Sequence, residues 1–134
     1  MWTLTGPNRV VKVLPGEAPV ASTLGGYITL GKYLVNRTPA QIETDLGLKR
    51  GYLFSGAKIY RFTRLPQSSE YEYDLTANCP GGLAYYAAAS SDPYPPGSRT
   101  IHQWKIKTGV QIPVDSVNFL DLKPGHRFPS TWLY

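Results

Sequence analysis

Three stretches of this chain hold residues whose types and spacing could do chemistry. In KIYRFTR (58–64), strand alternation places Tyr60 and Phe62 on one face and Ile59, Arg61 and Thr63 on the other. A guanidinium that shares a face with isoleucine is costly to bury unpaired, so Arg61 needs an acid or a bound anion. One reading gives it a structural ion pair with Glu72 or Asp74 on the next strand. The other has it fork onto a phosphate or carboxylate through two hydrogen bonds.

The second stretch is SRTIHQWKIK (98–107). Here His102, Trp104 and Ile106 fall on one face and Gln103, Lys105 and Lys107 on the other. A histidine beside a tryptophan on an apolar face reads as a packed, hydrogen-bonded residue whose opposite, polar edge lines a cleft. The alternative pairs His102 with His126 as base and acid of a metal-independent ribonuclease, with Lys105 or Arg127 stabilising the phosphorane.

The third is CPGGLAYY (79–86). The adjacent Gly81 and Gly82 permit close backbone approach to something planar or charged, and Tyr85 and Tyr86 follow on opposite faces. A glycine turn leading into core aromatics is the structural alternative. Cys79 would need a basic neighbour to become a nucleophile. No spacing of histidines and acids suggests a metal site, and neither a P-loop nor a G-x-S-x-G elbow is present.

These residues need a sheet to hold them. The chain has 134 residues, enough for a single domain (1–134) with one core. Charged residues make up 17% and aromatics 13%, ten of them tyrosine, with 13 glycines and 12 prolines to supply turns. That composition suggests β structure. The strands expected are 8–14, 25–35 with a break at Gly31, 57–65, 71–76, 83–89, 100–107 and 110–122. One helix is expected in TPAQIETDLG: Thr38 caps, Pro39 takes the first helical position, Gln41 completes a capping box and Gly47 ends it. Ile42 and Leu46 share a face, so a helix this short must lean on the sheet. The aromatic tail HRFPSTWLY is expected to fold back over the core. The fold class is α+β: a bent antiparallel sheet or partial barrel with one short helix and long Pro/Gly loops.

The net charge of +5 favours an acidic partner, whether nucleic acid, a phosphorylated small molecule or an acidic protein. The charge is uneven. No acid lies between Asp45 and Glu70, where Lys49, Arg50, Lys58, Arg61 and Arg64 all fall, and Arg99, Lys105 and Lys107 form a second group. A single cysteine excludes an internal disulfide and a cysteine zinc site. The start MWTLTGPNRVVKV lacks the basic-then-apolar order of a secretory leader, and no apolar run is long enough to span a membrane.

The order GGYITLGKYL, TPAQIETDLGL, GAKIYRF, CPGGLAYY and YPPGSRTIHQWKIKTGVQIPV resembles the C-terminal toxin modules of bacterial polymorphic toxins and type VI effectors. Within that group it is similar to the necrotizing-toxin NAD glycohydrolases and the ADP-ribosyltransferase-like toxins. The matching segments are IYRF (59–62), GGLAYY (81–86), YPP (94–96) and HQWKIKTGVQIPV (102–114), so the likeness covers residues 57–134. It implies NAD as substrate with no tightly bound cofactor, and an acidic immunity protein as partner. It also implies delivery by a specialised secretion system into the cytoplasm of a target cell. Arg61 would hold the NAD pyrophosphate, with Tyr60, Gly81 and Gly82 beside it, and Tyr85 or Tyr86 would stack on the nicotinamide. The glutamine that follows the last glycine run in the glycohydrolases has no counterpart in KPGHRFPSTWLY; Gln103 and Glu70 are its stand-ins, with Gln103 or His102 completing the catalytic set. A non-enzymatic basic module that presents an aromatic surface to an acidic partner is the remaining class.

Overall fold

The computed structural model describes residues 10–73 and 101–133, with the side chain of Leu133 excepted. The strands expected at 83–89 and the candidates Cys79, Gly81, Gly82, Tyr85, Tyr86 and Arg99 lie outside the described residues.

β1 (Val10–Pro15) alternates buried and half-buried residues and lies at the centre of the sheet. A turn leads to the short β2 (Thr23–Leu24), in a stretch expected to be loop, and then to β3 (Tyr27–Leu30). The break expected at Gly31 is a 3₁₀ turn over Gly31–Tyr33. β4 (Ala57–Arg61), β5 (Tyr71–Tyr73) and β6 (Trp104–Ile106) follow. The stretch expected as one strand over 110–122 is two, β7 (Ile112–Pro113) and β8 (Leu120–Leu122). The cause is Asp115, whose carboxylate accepts from the amides of Val117 at 3.1 Å and Asn118 at 3.0 Å and turns the chain.

The large sheet has the order β5-β6-β3-β1-β4-β8, every neighbouring pair antiparallel, and is not closed into a barrel. β2 and β7 form a separate ribbon. The fold is α+β, as composition and turn spacing imply.

Helix α1 (Pro39–Leu46) forms where its caps dictate. Thr38 accepts from the Gln41 amide, the Gln41 side chain accepts from the Thr38 amide, and Gly47 closes the helix at φ +69°. Ile42 and Leu46 are buried against the sheet, together with Val11, Val13, Leu34, Ile59 and Phe128. Side chains alternate along the strands, so a second apolar cluster of Val10, Ile28, Leu30, Trp104, Ile106 and Ile112 packs on the other face.

The tail does return to the core. Phe128 is fully buried, its amide donates to the Arg37 carbonyl at 2.9 Å, and Ser130–Leu133 forms a 3₁₀ turn. The segment that enters the helix is tied to the helix itself by an ion pair that local sequence does not announce. Arg37 donates to both oxygens of Asp45, through Nε at 2.9 Å and through a terminal nitrogen at 3.1 Å, and the Asp45 side chain is fully buried.

Candidate functional site

Strand register assembles the described candidates. Val11 is paired with Arg61 on one side and with Thr29 on the other. Ile28 pairs with Trp104, which sets Gln103 opposite Thr29. Arg61, Val11, Thr29 and Gln103 therefore occupy one row across β4, β1, β3 and the residue that enters β6. They share the face that carries α1 and the tail.

Arg61 ends β4 and is half-buried. Its partner is not Glu72, and Asp74 lies outside the described residues. β4 lies between β1 and β8, with three strands separating it from β5, so the expected ion pair to Glu72 is replaced by contacts with the tail. The guanidinium lies over the Trp132 ring, 4.5 Å from its centroid, and one terminal nitrogen donates to the Trp132 carbonyl at 3.0 Å. Trp132 is itself braced edge-on against Phe128, with ring centres 5.5 Å apart. Among the described residues Arg61 makes no ion pair. A guanidinium has five N–H donors, so its edge keeps capacity for an anion while one face rests on indole. The nearest acid in influence is Asp115. Its carboxyl is held below the usual range by the Asn118 amide first, then the Asn118 side chain and the Val117 amide, with the Arg61 charge a lesser contributor.

Gln103 is buried, and its side-chain nitrogen donates 2.9 Å to the carbonyl of Leu46, one of the last in α1. That bond satisfies a helix-end acceptor that has no partner within the helix. Gln103 also borders a cavity of about 160 Å³, the cleft expected on its side of the strand.

Tyr60 is fully buried on the opposite face of β4. Its ring lies 5.1 Å from Phe119 and its hydroxyl accepts from the Ala21 amide at 3.2 Å. His102 is half-buried among aromatics: Nδ1 lies 2.8 Å from the Tyr73 hydroxyl, and the Tyr33 and Trp104 ring centres are 6.1 and 6.5 Å away. Burial lowers its pKa below the ordinary histidine value. His126 lies on an exposed turn beyond β8, at the far edge of the sheet from β5 and β6. His102 is placed beside Tyr73 and Trp104.

Glu70 is occupied as well. Arg64 donates to both its oxygens, at 2.7 and 3.0 Å, and this pairing holds its pKa down to about 2. Lys105 lies over the Tyr27 ring, 5.9 Å from the centroid. Among the described residues no cluster of three His, Cys, Asp or Glu side chains could hold a metal ion, and no helix is long and apolar enough to cross a membrane.

Local pattern did not single out Lys12, Thr29, Tyr27 and Tyr52, which line the cavity with Gln103. The V-K-V alternation of β1 was the available signal, and it reads as an ordinary outward lysine. No family model matches the chain, and neither a curated protein nor a solved structure matches it.

Proposed function

We propose that this domain is a toxin-like effector enzyme that consumes NAD, by hydrolysis or ADP-ribosyl transfer, with Arg61 gripping the pyrophosphate. One observation carries the reading: Arg61 is half-buried, oriented by the Trp132 ring, and spends its described contacts on neutral groups alone. A structural arginine at such a place ordinarily meets a carboxylate. This one makes no ion pair among the described residues, with Asp115 as a weaker electrostatic neighbour, and it keeps donors suited to a two-pronged grip on phosphate oxygens.

The chemistry asks little else of the protein. The glycosidic bond from C1′ to the nicotinamide nitrogen breaks and its electron pair stays with the departing ring, which leaves neutral. Water, or an acceptor nucleophile, adds at C1′ and loses a proton. Holding the phosphates fixes the ribose for that step, which is catalysis by positioning. Gln103 stands in the same row but is buried and bonded to the Leu46 carbonyl, so the grip rests on Arg61. A delivered toxin of this kind would act in the cytoplasm of a target cell and be countered by an acidic immunity protein, a partner that suits the net charge of +5.

The test is to incubate the purified domain with NAD and follow loss of the dinucleotide, with and without cell lysate. Loss of NAD by the native protein, together with survival of NAD in the Arg61→Ala variant, supports the reading. Intact NAD in every case, with total RNA degraded, would transfer the function to a ribonuclease. Intact NAD and intact RNA would leave a binding module.

A further inference from the structure

Pairing between β1 and β3 is confined to two positions, Val10 with Leu30 and Val11 with Thr29. β1 stays paired with β4 as far as Pro15, while Tyr27 and Ile28 pair with Lys105 and Trp104 of β6. The two strands therefore part after Val11. The cavity of about 160 Å³ lies at this parting, with Val11 and Val13 on one side, Tyr27 and Thr29 on the other, and Leu46, Leu48 and Tyr52 around it. A cavity of roughly this size holds one six-membered ring.

Strand register gives the parting a polar edge. The Gly16 amide donates to the Gly56 carbonyl at 3.0 Å, in step with the pairing of β1 and β4. Peptide groups alternate in direction along an antiparallel strand, so Leu14 and Lys12 also bond towards β4. Val13 then turns its N–H and C=O towards β3. Pairing with β3 has ended by that point, and among the described residues Val13 has no strand partner across the gap. Val13 is buried, and a buried backbone donor and acceptor are costly to leave unsatisfied.

The rest of the lining decides what can meet them. It includes no acid, and its one lysine, Lys12, sends its side chain to the opposite face beside Tyr60. A charged guest would be withdrawn from water without a counter-ion, so an uncharged one is favoured. Thr29 spends its hydroxyl hydrogen on the His102 carbonyl at 2.8 Å, and the Gln103 side-chain nitrogen donates to the Leu46 carbonyl.

We propose that the parting of β1 and β3 binds an uncharged single-ring lactam, whose C=O accepts from the Val13 amide and whose N–H donates to the Val13 carbonyl. The ring lies against Leu46, Leu48 and Tyr52. A lactam carries an adjacent donor and acceptor on one planar edge, the complement of the two groups that Val13 presents. The size of the slot limits the guest to one ring. The site is distinct from the Arg61 edge and does not depend on NAD chemistry.

The probe is 2-pyridone, titrated by NMR into the whole isotope-labelled domain. Its controls are N-methyl-2-pyridone, which keeps the acceptor but cannot donate, and benzoate, a charged ring of similar size. 2-Pyridone should bind about tenfold or more tightly than either control. It should also move the Val13 amide resonance and slow exchange of that amide with solvent. Failure of 2-pyridone to bind, equal affinity for either control, or an unmoved Val13 amide would overturn the proposal. Leu48→Trp narrows the cavity and should abolish 2-pyridone binding; binding retained by a folded Leu48→Trp protein would overturn it equally. Arg61→Ala should leave 2-pyridone binding intact, which separates failure here from failure of the NAD reading.

Discussion

The guanidinium of Arg61 rests 4.5 Å from the centre of the Trp132 ring and donates to the carbonyl of the same residue. A side chain at the end of β4 and one in the C-terminal 3₁₀ turn therefore hold each other. This contact sets the orientation of Arg61 and docks the tail, and the two roles can be separated by measurement.

Trp132→Ala removes the ring stack, the edge-on contact with Phe128 and part of the tail's apolar cover. We expect it to lower stability by about 1–3 kcal/mol, and the double-mutant cycle with Arg61→Ala to give a coupling of about 0.5–2 kcal/mol. Urea denaturation of the four proteins checks this. Strict additivity would mean the stacking contributes nothing.

The Arg37–Asp45 pair ties the entry of α1 to its last turn. Asp45→Ala removes a buried acceptor and leaves the partly exposed Arg37 without its partner, which should cost about 2–3 kcal/mol in chemical denaturation. Thr38→Ala, which breaks one half of the capping box, should cost about 1 kcal/mol by the same measurement. A smaller loss for Asp45→Ala than for Thr38→Ala would reverse this ranking.

Lys12 gives stability a pH dependence of unusual sign. Its folded pKa of about 8 lies below the unfolded value of 10.5, so between those limits the unfolded chain holds more protons. Stability should therefore rise as pH increases through that window, where most proteins are level or declining. Lys12→Met should remove this rise and stabilise the protein at pH 7 by up to about 3 kcal/mol, since one pKa unit corresponds to about 1.4 kcal/mol. Unfolding curves of both proteins across the window decide it. Parallel pH profiles would contradict the assignment.

His102 acts in the acid range. Burial lowers its pKa, so the unfolded chain takes up the proton first and stability falls as pH drops below about 6.5. His102→Gln should flatten that part of the acid limb. NMR titration of the imidazole checks the direction independently, and a midpoint above the ordinary histidine value would be inconsistent with the packing around Tyr73.

Helix α1 was legible because its determinants are local: Thr38, Gln41 and Gly47 act within one segment, and Ile42 and Leu46 mark its buried face. The packed character of His102 followed from its alternation with Trp104 in the same way. Arg61 was legible as a residue that needs a partner, but that partner was not, because strand order alone decides which elements flank β4. The tail's Trp132 is 71 positions away in sequence. The interruption at Asp115 was hidden inside an apparently continuous β pattern, where a side-chain-to-backbone turn overrode alternation. Lys12 was hidden for a different reason. Its neighbours read as a regular strand, and only the fold shows that its ammonium is withdrawn from water beside Gly26.

The central claim is that Arg61 receives a pyrophosphate, and equilibrium binding of ADP-ribose tests it without dependence on turnover. The account predicts measurable binding by the native domain that weakens with added salt and falls by about tenfold or more in Arg61→Ala, while the circular dichroism of the variant matches the native protein. Affinity that is unchanged by Arg61→Ala, or absent from the native domain, would contradict it.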